Sequence, residues 1–219
     1  MIIQEKTACC VKDLGLMDYE QVYVQQKQYV DRLLNGSVQA LLLCEHPAVL
    51  TLGRMTNESN IFVDEKGLMK RGIGVHHVDR GGDVTLHAPG QLVIYPILNL
   101  AYFGRDIHNY LRQLEQVAID LLESFDIVAD RIFGRTGVWI GKKKIASIGI
   151  GVRKWVSFHG LAVNVNMDLS LFSIIKPCGL DIEMTSLSEI KQETISMEEV
   201  KRRTIKCFFR NFYLEEASD

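Results

Sequence analysis

The sequence has few of the features that mark membrane, secreted or nucleic-acid-binding proteins. It has no apolar run of the roughly 18 residues that a membrane-spanning helix needs. Its beginning, MIIQEKTACC, lacks the regions of a signal peptide. Its 25 basic and 27 acidic residues leave a net charge of −2, which argues against a general nucleic-acid binder. The five cysteines are an odd number without a C-x-x-C pair, which argues against a disulfide framework. We therefore expect a reduced, cytoplasmic protein that binds neither membranes nor nucleic acid.

The composition is sufficient for a folded core. Of the 219 residues, 47% are hydrophobic and 24% are charged, which are the proportions of ordinary globular domains. The chain shows no linker, repeat or low-complexity stretch. We therefore expect one domain over residues 1–219.

Periodicity and capping residues predict an α+β protein. Helices are expected from Asp18 to Leu34, from Asp106 to Phe125 and from Ser196 to Tyr213, because each has a polar N-cap before an apolar stripe. Runs of strands between separated helices favour a mixed β-sheet with flanking helices. A short helix is expected over 64–70, and strands over 38–44, 49–53, 75–78, 84–87, 92–98, 127–132, 137–140, 144–152 and 155–165.

The segment RGGDVTLHAPGQ, from Arg80 to Gln91, is the richest in ligand-binding residue types. Its paired glycines can bring backbone N–H groups close to a ligand. Arg80 can brace the loop or face an anion, and His87 can act as a base, a donor or a metal ligand. The alternative is a tight hairpin in which the glycines only turn the chain. The segment matches neither a phosphate loop nor a dinucleotide-binding motif.

The three consecutive lysines at 142–144 are candidates for acid–base chemistry. Alternation along a strand sends Lys142 and Lys144 to one face and Lys143 to the other. Lys144 adjoins the apolar half of the strand, where a desolvated lysine can serve as a base. The alternative is a solvated lysine at a strand edge.

Cys178 is the candidate nucleophile. Pro177 before it and Gly179 after it indicate a bend, and a cysteine beside a cation or a base has thiolate character. The alternative is a small buried hydrophobic residue, which is what we expect of Cys44 and Cys207.

The histidines do not predict a metal site. His76 and His77 are adjacent and point to opposite faces of a strand, so they cannot hold one ion together. For His87, His159 and Cys178 the spacing leaves convergence open. We expect no bound metal.

Charge is unevenly distributed in the second half of the chain. Residues 131–167 contain seven basic residues and no acidic one. This stretch indicates either solvated strand edges or a docking face for an acidic partner.

Six motifs, taken together, resemble those of the lipoyl(octanoyl) transferase family. They occur in the family's order and with its spacing, from Glu45 to Gly179. They are EHP at 45–47 with TLGR at 51–54, RGGDVTLHAPGQ at 80–91, GVWI at 137–140, KKIASIG at 143–149, FHGLAVNVN at 158–166 and PCG at 177–179.

The resemblance implies a fold, a dyad and a set of acyl-binding residues. The fold is that of the catalytic domain of biotin and lipoate protein ligases. Cys178 corresponds to the acyl-thioester nucleophile and Lys144 to the lysine that activates it. The residues that correspond to acyl-binding segments are Arg80, Gly81, Gly82, Asp83, Val84, Thr85, Leu86, His87, Ser147, Ile148, Gly149, Gly160, Leu161 and Ala162.

Two positions depart from the family pattern T-Y-H-G-P-G-Q. Leu86 replaces its tyrosine and Ala88 its first glycine. Ala88 requires a backbone position that does not need a positive φ. Neither residue belongs to the dyad, so these changes concern the shape of the pocket.

The activity that the resemblance implies is transfer of an octanoyl group to a lipoyl-domain lysine. The donor would be octanoyl-acyl carrier protein. The acceptors would be lipoyl domains of 2-oxoacid dehydrogenase E2 subunits and the glycine cleavage H protein. No cofactor is needed, because a thioester is already activated. Two alternatives remain: an ATP-dependent lipoate ligase of the same fold, and a non-catalytic binding module in which Cys178 is structural.

Overall fold

The computed structural model describes residues 7–177 and 182–217, and it contains a large mixed sheet, as predicted. The strands of this sheet are β1 (Thr7–Leu16), β2 (Gln39–Glu45), β6 (Gln91–Ile97), β7 (Asp130–Ile132), β8 (Arg135–Ile140), β9 (Lys143–Arg153), β10 (Val156–Asn164) and β11 (Leu214–Glu216). Their spatial order is β11-β1-β2-β6-β10-β9-β8-β7. The pairs β11–β1 and β1–β2 are parallel, and every later neighbouring pair is antiparallel.

The three long helices begin at the predicted capping residues. They are α1 (Tyr19–Leu34), α3 (Ile107–Glu123) and α5 (Met197–Phe212), and the shorter ones are α2 (Glu65–Lys70) and α4 (Leu187–Lys191). The side chains of Asp18, Asp106 and Ser196 each accept a hydrogen bond from a backbone N–H of the first turn. Of the helices in the described ranges, none is both long and apolar enough to cross a bilayer.

The large sheet is covered on both faces, and each face has its own apolar core. In β2, Leu41 and Leu43 pack with α3 and α5, whereas Leu42 and Cys44 pack with α1. This division follows from the alternation of side chains along a strand. A sheet buried on both faces explains why β2, β6 and β10 are read in the sequence as continuous apolar runs.

A second, three-stranded sheet lies beside the large one. It has the order β4-β3-β5, with β3 (Val49–Leu52), β4 (Gly74–His77) and β5 (Val84–His87). Its core includes Leu50, Val84 and Leu86, together with Phe172 from a 3₁₀ helix at Leu169–Ile174. Further 3₁₀ turns occur at Glu58–Asn60 and Leu100–Phe103.

Several elements differ from the sequence-based expectation, and the short elements α4 and β11 were not predicted. β1 was not predicted, and of its ten residues only Cys9 is fully buried, so it has no apolar alternation to detect. β7 is shorter than the predicted 127–132, because Ile127 is buried against the end of α3 and the strand begins at Asp130.

Candidate active site

A cavity lies on the α1 face of the large sheet. Its empty volume is about 510 Å³, including its open mouth. The strands β9, β10 and β6 form its wall, and β5 and the loop that precedes it form its cover. Three neighbouring strands at about 4.8 Å spacing give the wall a width of about 10 Å. The residues of the wall are Ser147, Ile148, Gly149, His159, Gly160, Leu161, Ala162, Val93 and Tyr95.

Most of the residues that the resemblance assigned to acyl binding line this one cavity. Beside Ser147–Gly149 and Gly160–Ala162, they are Arg80, Gly81, Gly82, Asp83, Thr85 and His87. The strand register explains the convergence, because Ala162 pairs with Ser147 on one side and with Val93 on the other. Segments far apart in the chain therefore meet at one level of the sheet.

Val84 and Leu86 do not line the cavity. Both side chains are fully buried in the core of the small sheet, on the opposite face of β5 from Thr85 and His87. The expectation that all of residues 80–87 contact the acyl chain was wrong at these two positions, because successive side chains of a strand point to opposite faces. The replacement of the family's tyrosine by Leu86 therefore concerns this core. Ala88 is not among the residues with a positive φ, as its identity requires.

Arg80 braces the glycine-rich loop. Its Nη2 donates to the carbonyl oxygen of Thr51 at 2.7 Å and to Thr51 Oγ1 at 2.9 Å, and its Nη1 donates to Gly81 O at 3.1 Å. Glycines in and next to the neighbouring strands allow the loop to pack closely against them. A Cβ at Gly53 would lie 2.3 Å from Gly82 O, and one at Gly149 would lie 3.0 Å from Arg80 Cδ. The glycines thus serve close packing of the loop as well as its turns.

Asp83 links this loop to the chain that leads to Cys178. Its carboxylate accepts from the backbone N–H of Asn57 at 3.0 Å and from the side-chain amide of Asn60. The carbonyl oxygen of Asn60 in turn accepts from the backbone N–H of Lys176 at 2.7 Å.

His87 is held in one tautomer by a buried amide. Gln91 Nε2 donates to Asn164 Oδ1 at 2.9 Å, so Gln91 Oε1 is the acceptor of the Nδ1–H of His87 at 2.7 Å. Burial, with the nearby ring of His46, lowers the pKa of His87 to about 3. The ring is therefore neutral at physiological pH, with its Nε2 unprotonated.

A second polar cluster joins α1 to the cavity through Asp79. Its carboxylate accepts from Tyr23 Oη at 2.7 Å, from Lys27 Nζ at 2.6 Å and from His159 Nε2 at 2.9 Å. Burial alone would raise the pKa of Asp79, but these three hydrogen bonds outweigh it and hold the pKa well below its usual range. Burial lowers the pKa of His159, and its Nδ1 lies 3.5 Å from Tyr19 Oη.

Lys144 is buried, as predicted, with 2% of its surface exposed. Its Nζ lies 5.5 Å from the ring centroid of Trp139, the cross-strand neighbour on β8. Its backbone N–H donates to Glu183 O at 2.8 Å, and its carbonyl oxygen accepts from the N–H of Thr185 at 2.9 Å. The segment that follows Cys178 in the chain is therefore paired with Lys144.

The other two lysines differ from Lys144. Lys143 is partly exposed and pairs with Glu189 at 3.1 Å, which confirms that it and Lys144 have different environments. Lys142 is exposed in the turn before β9. The expectation that it shares a face with Lys144 was wrong, because the alternation begins only where the strand begins.

The nucleophile candidate Cys178 and its neighbour Gly179 lie outside the described residues. Cys44 and Cys207 are buried in the apolar cores, as expected.

The basic stretch 131–167 does not form one face. Arg131 is turned inward to Glu115, at 2.9 Å, and Arg153 pairs with Asp31. Lys142 and Lys154 flank the two ends of β9, an eleven-residue strand about 36 Å long. These lysines cannot contact the same small patch of a partner.

Sequence reasoning missed several residues of the site. Tyr19, Val93 and Tyr95 line the cavity, and Asp79 and Glu115 support residues around it. Tyr19 follows the cap of α1 on its buried side, which is a local signal. The other contacts depend on pairings between distant strands and helices.

Comparison with known proteins gives consistent matches. The family model of the lipoyl protein ligase A/B catalytic domain matches residues 18–209. An octanoyltransferase of Syntrophotalea carbinolica is 47% identical over 90% of this chain and 92% of its own length. One of Geobacter sp. (strain M21) is 43% identical over 92% and 95%.

Solved structures share the fold at low sequence identity. A bi-partite lipoate protein ligase of Thermoplasma acidophilum has a TM-score of 0.73 at 17% identity, covering 98% of this chain and 87% of its own. A biotin protein ligase of Aquifex aeolicus has a TM-score of 0.56 at 16% identity, covering 93% and 70%.

Proposed function

Because the chain belongs to the family of lipoyl protein ligase A/B catalytic domains and is an octanoyltransferase like its curated relatives, we propose that it transfers the octanoyl group through a thioester on Cys178. Lys144 is the acid–base group of both steps. Transfer from one thioester to a second thioester and then to an amine divides the reaction into two easier displacements.

In the first step, the Lys144 amine takes the proton of the Cys178 thiol. The thiolate attacks the carbonyl carbon of the octanoyl thioester, and the bond from that carbon to the donor sulfur breaks. The donor thiolate leaves and accepts that proton from Lys144. The products are octanoyl-Cys178 and the free thiol of the donor.

In the second step, the neutral amine of the acceptor lysine attacks the carbonyl carbon of octanoyl-Cys178. The bond to the Cys178 sulfur breaks, the amine loses a proton to Lys144, and Lys144 passes that proton to the Cys178 thiolate. The products are an octanoyl amide on the acceptor and the original cysteine.

The observation that carries this proposal is the position of Lys144 relative to the chain that bears Cys178. Glu183, five residues after the cysteine in sequence, accepts from the Lys144 backbone N–H. Before the cysteine, Lys176 donates to Asn60, which also bonds Asp83 of the cavity cover. Both flanks of the cysteine are thus hydrogen-bonded to the elements that carry the cavity and the lysine.

The cavity suits an acyl chain. Its wall is mostly apolar or glycine, and it begins on β9, the strand that carries Lys144 three residues before Ser147. We assign the acyl chain to this cavity, with Ser147, Ile148, Gly149, Gly160, Leu161, Ala162, Thr85 and His87 around it. Arg80, Gly81, Gly82 and Asp83 would act through the shape of the loop that covers it.

The reaction needs an acyl donor and a lipoyl-domain acceptor. We assign the donor as octanoyl-acyl carrier protein. The acceptors are the lipoyl domains of 2-oxoacid dehydrogenase E2 subunits and the glycine cleavage H protein, all in the cytoplasm. The thioester supplies the activation, so no nucleotide enters the scheme.

Intact-protein mass spectrometry after mixing with octanoyl-acyl carrier protein tests the proposal. We expect a gain of one octanoyl group that hydroxylamine removes, and no gain in the variant Cys178→Ala. Cys10→Ala is the matched control, because Cys10 is a partly exposed cysteine on β1, and it should be acylated normally.

Three outcomes would contradict the scheme. Acylation of Cys178→Ala, or its near-normal turnover, would exclude the covalent intermediate. Octanoylation of a lipoyl domain from free octanoate and ATP would instead identify an ATP-dependent ligase.

A further inference from the structure

The tip of the Lys144 side chain lies directly over Gly137 of β8. A Cβ atom built on Gly137 would be 2.5 Å from Lys144 Cε and 3.1 Å from its Nζ, and it would also lie 2.7 Å from the backbone oxygen of Ala146 on β9. Ordinary carbon–carbon contacts begin about 1 Å further away. Because glycine has only a hydrogen atom in place of a side chain, position 137 leaves room for the tip of Lys144.

We propose that Gly137 is a positioning residue that sets where the Lys144 amine sits, an inference that rests on the acid–base role proposed for that lysine. Any larger residue at 137 would displace the amine from the position that this role requires. The proposal assigns a function to the first residue of the motif GVWI, which lines no part of the cavity.

Strand β8 is not free to move away from an added side chain. The backbone N–H of Gly137 donates to Glu115 Oε1 at 3.1 Å, and Glu115 on α3 is 1% exposed. The other oxygen of Glu115 accepts from Arg112 at 2.7 Å and from Arg131 at 2.9 Å. A buried carboxylate bound on both oxygens fixes Gly137 from the helical layer, so an added methyl group would press on β9, against the Lys144 tip and the Ala146 carbonyl.

The backbone of Gly137 also favours glycine, and this effect must be separated from the collision. Its φ is +131°, a region that side chains rarely adopt. Gly134 and Gly141, at the two ends of β8, have φ values of +75° and +59°, but a Cβ there would meet nothing within 4 Å. Alanine at these two positions adds backbone strain without touching Lys144 or Ala146, and the contact with the Ala146 carbonyl is separated from the lysine contact by removing the lysine.

The experiment compares Gly137→Ala with Gly134→Ala and Gly141→Ala. Octanoyl transfer from a small octanoyl thioester is measured by kcat and KM separately. A displacement of about 1 Å in a reacting group costs on the order of 100-fold in rate. We expect about that loss in kcat for Gly137→Ala with KM within about twofold, and near-normal values for both controls.

A double-mutant cycle with Lys144→Ala separates positioning from general damage. If Gly137 acts through Lys144, the double variant Gly137→Ala/Lys144→Ala should be no slower than Lys144→Ala alone. If Gly137→Ala folds poorly, the same cycle applies to thermal unfolding. Deleting the colliding lysine atoms should then recover part of the stability lost.

Three results would overturn the inference: a full rate for Gly137→Ala, equal losses in the three glycine variants, or an undiminished effect of Gly137→Ala when Lys144 is absent. In each of these cases the proposed role of Lys144 survives. A full rate for Lys144→Ala would instead refute the proposed function, and the inference with it.

Discussion

His87 makes the stability of the protein depend on pH between about 3 and 6.5. Its pKa is about 3 in the folded state, because of burial, and 6.5 in the absence of that environment. Between these two values the unfolded chain binds a proton that the folded protein does not. The contribution of neutral His87 is therefore present above pH 6.5 and is lost as the pH falls toward 3.

The size of the effect follows from the two pKa values. Lowering the pH from 7.0 to 4.5 should cost about 2.5 kcal/mol of unfolding free energy through His87 alone, at about 1.4 kcal/mol per pH unit. For a chain of this size, that corresponds to a fall of about 5–10 °C in Tm. His46 and His159, whose pKa values are also lowered by burial, act in the same direction. The stabilising contribution of Asp79 is lost only as the pH falls to its usual pKa of 3.8 and below.

The variant His87→Gln isolates this contribution, since a glutamine side chain does not titrate. Urea unfolding at pH 7.0 and pH 4.5 should show a smaller loss of stability on acidification in the variant than in the unmodified protein, by about 2.5 kcal/mol. His108→Gln, at an exposed position near the start of α3, should leave the loss unchanged. An equal loss in the unmodified protein and in His87→Gln would refute the reasoning.

Two other substitutions test the site and the small sheet. Lys144→Met should reduce turnover by about 10²- to 10⁴-fold, the usual contribution of an acid–base group. Lys143→Met should leave turnover nearly unchanged. Equal losses in the two variants would contradict the assignment of Lys144 as the catalytic lysine. Leu86→Tyr should lower stability by about 1–3 kcal/mol through overpacking in thermal unfolding, with the KM for an octanoyl thioester nearly unchanged. A large change in that KM would mean that position 86 does reach the acyl chain.

Local signals were enough to predict most of the fold. The three long helices were found because their caps, Asp18, Asp106 and Ser196, act on neighbouring backbone N–H groups. Strand β1 was missed because most of its residues are only partly buried. It is a strand because it pairs with β2 on one side and β11 on the other, and no local pattern encodes such distant pairing.

The site was predictable to the extent that its residues belong to contiguous motifs. The glycine-rich loop and the central parts of β9 and β10 do line one cavity. The errors came from treating a motif as if all its residues had one role. Val84 and Leu86 are in a strand, so they face away from the cavity, and Lys142 is in a turn, so the strand alternation does not include it. Gly137 could not be linked to Lys144 without the pairing of β8 with β9.

A series of buried hydrogen bonds runs from His87 at the cavity to Thr185 beside Lys144. Thr185, paired with the backbone of Lys144, accepts through its carbonyl oxygen from Asn164 Nδ2 at 2.9 Å. Asn164 accepts from Gln91, and Gln91 accepts from His87. A buried hydrogen-bond series thus connects the acyl cavity with the strand segment beside the proposed base.

Loss of any one hydrogen bond in this buried series costs more stability than loss of an exposed polar contact, because water cannot replace the missing partner. Gln91, Asn164 and His87 are each less than 10% exposed, so removing one partner leaves a buried group unsatisfied, at a cost of about 1–3 kcal/mol. Each member therefore constrains the orientation of the next, because no alternative partner from solvent is at hand. The side-chain amides of Gln91 and Asn164 consequently keep the cavity wall and the Lys144 segment in a constant relative position. That constancy is what a reaction with two successive attacks at one carbonyl carbon requires.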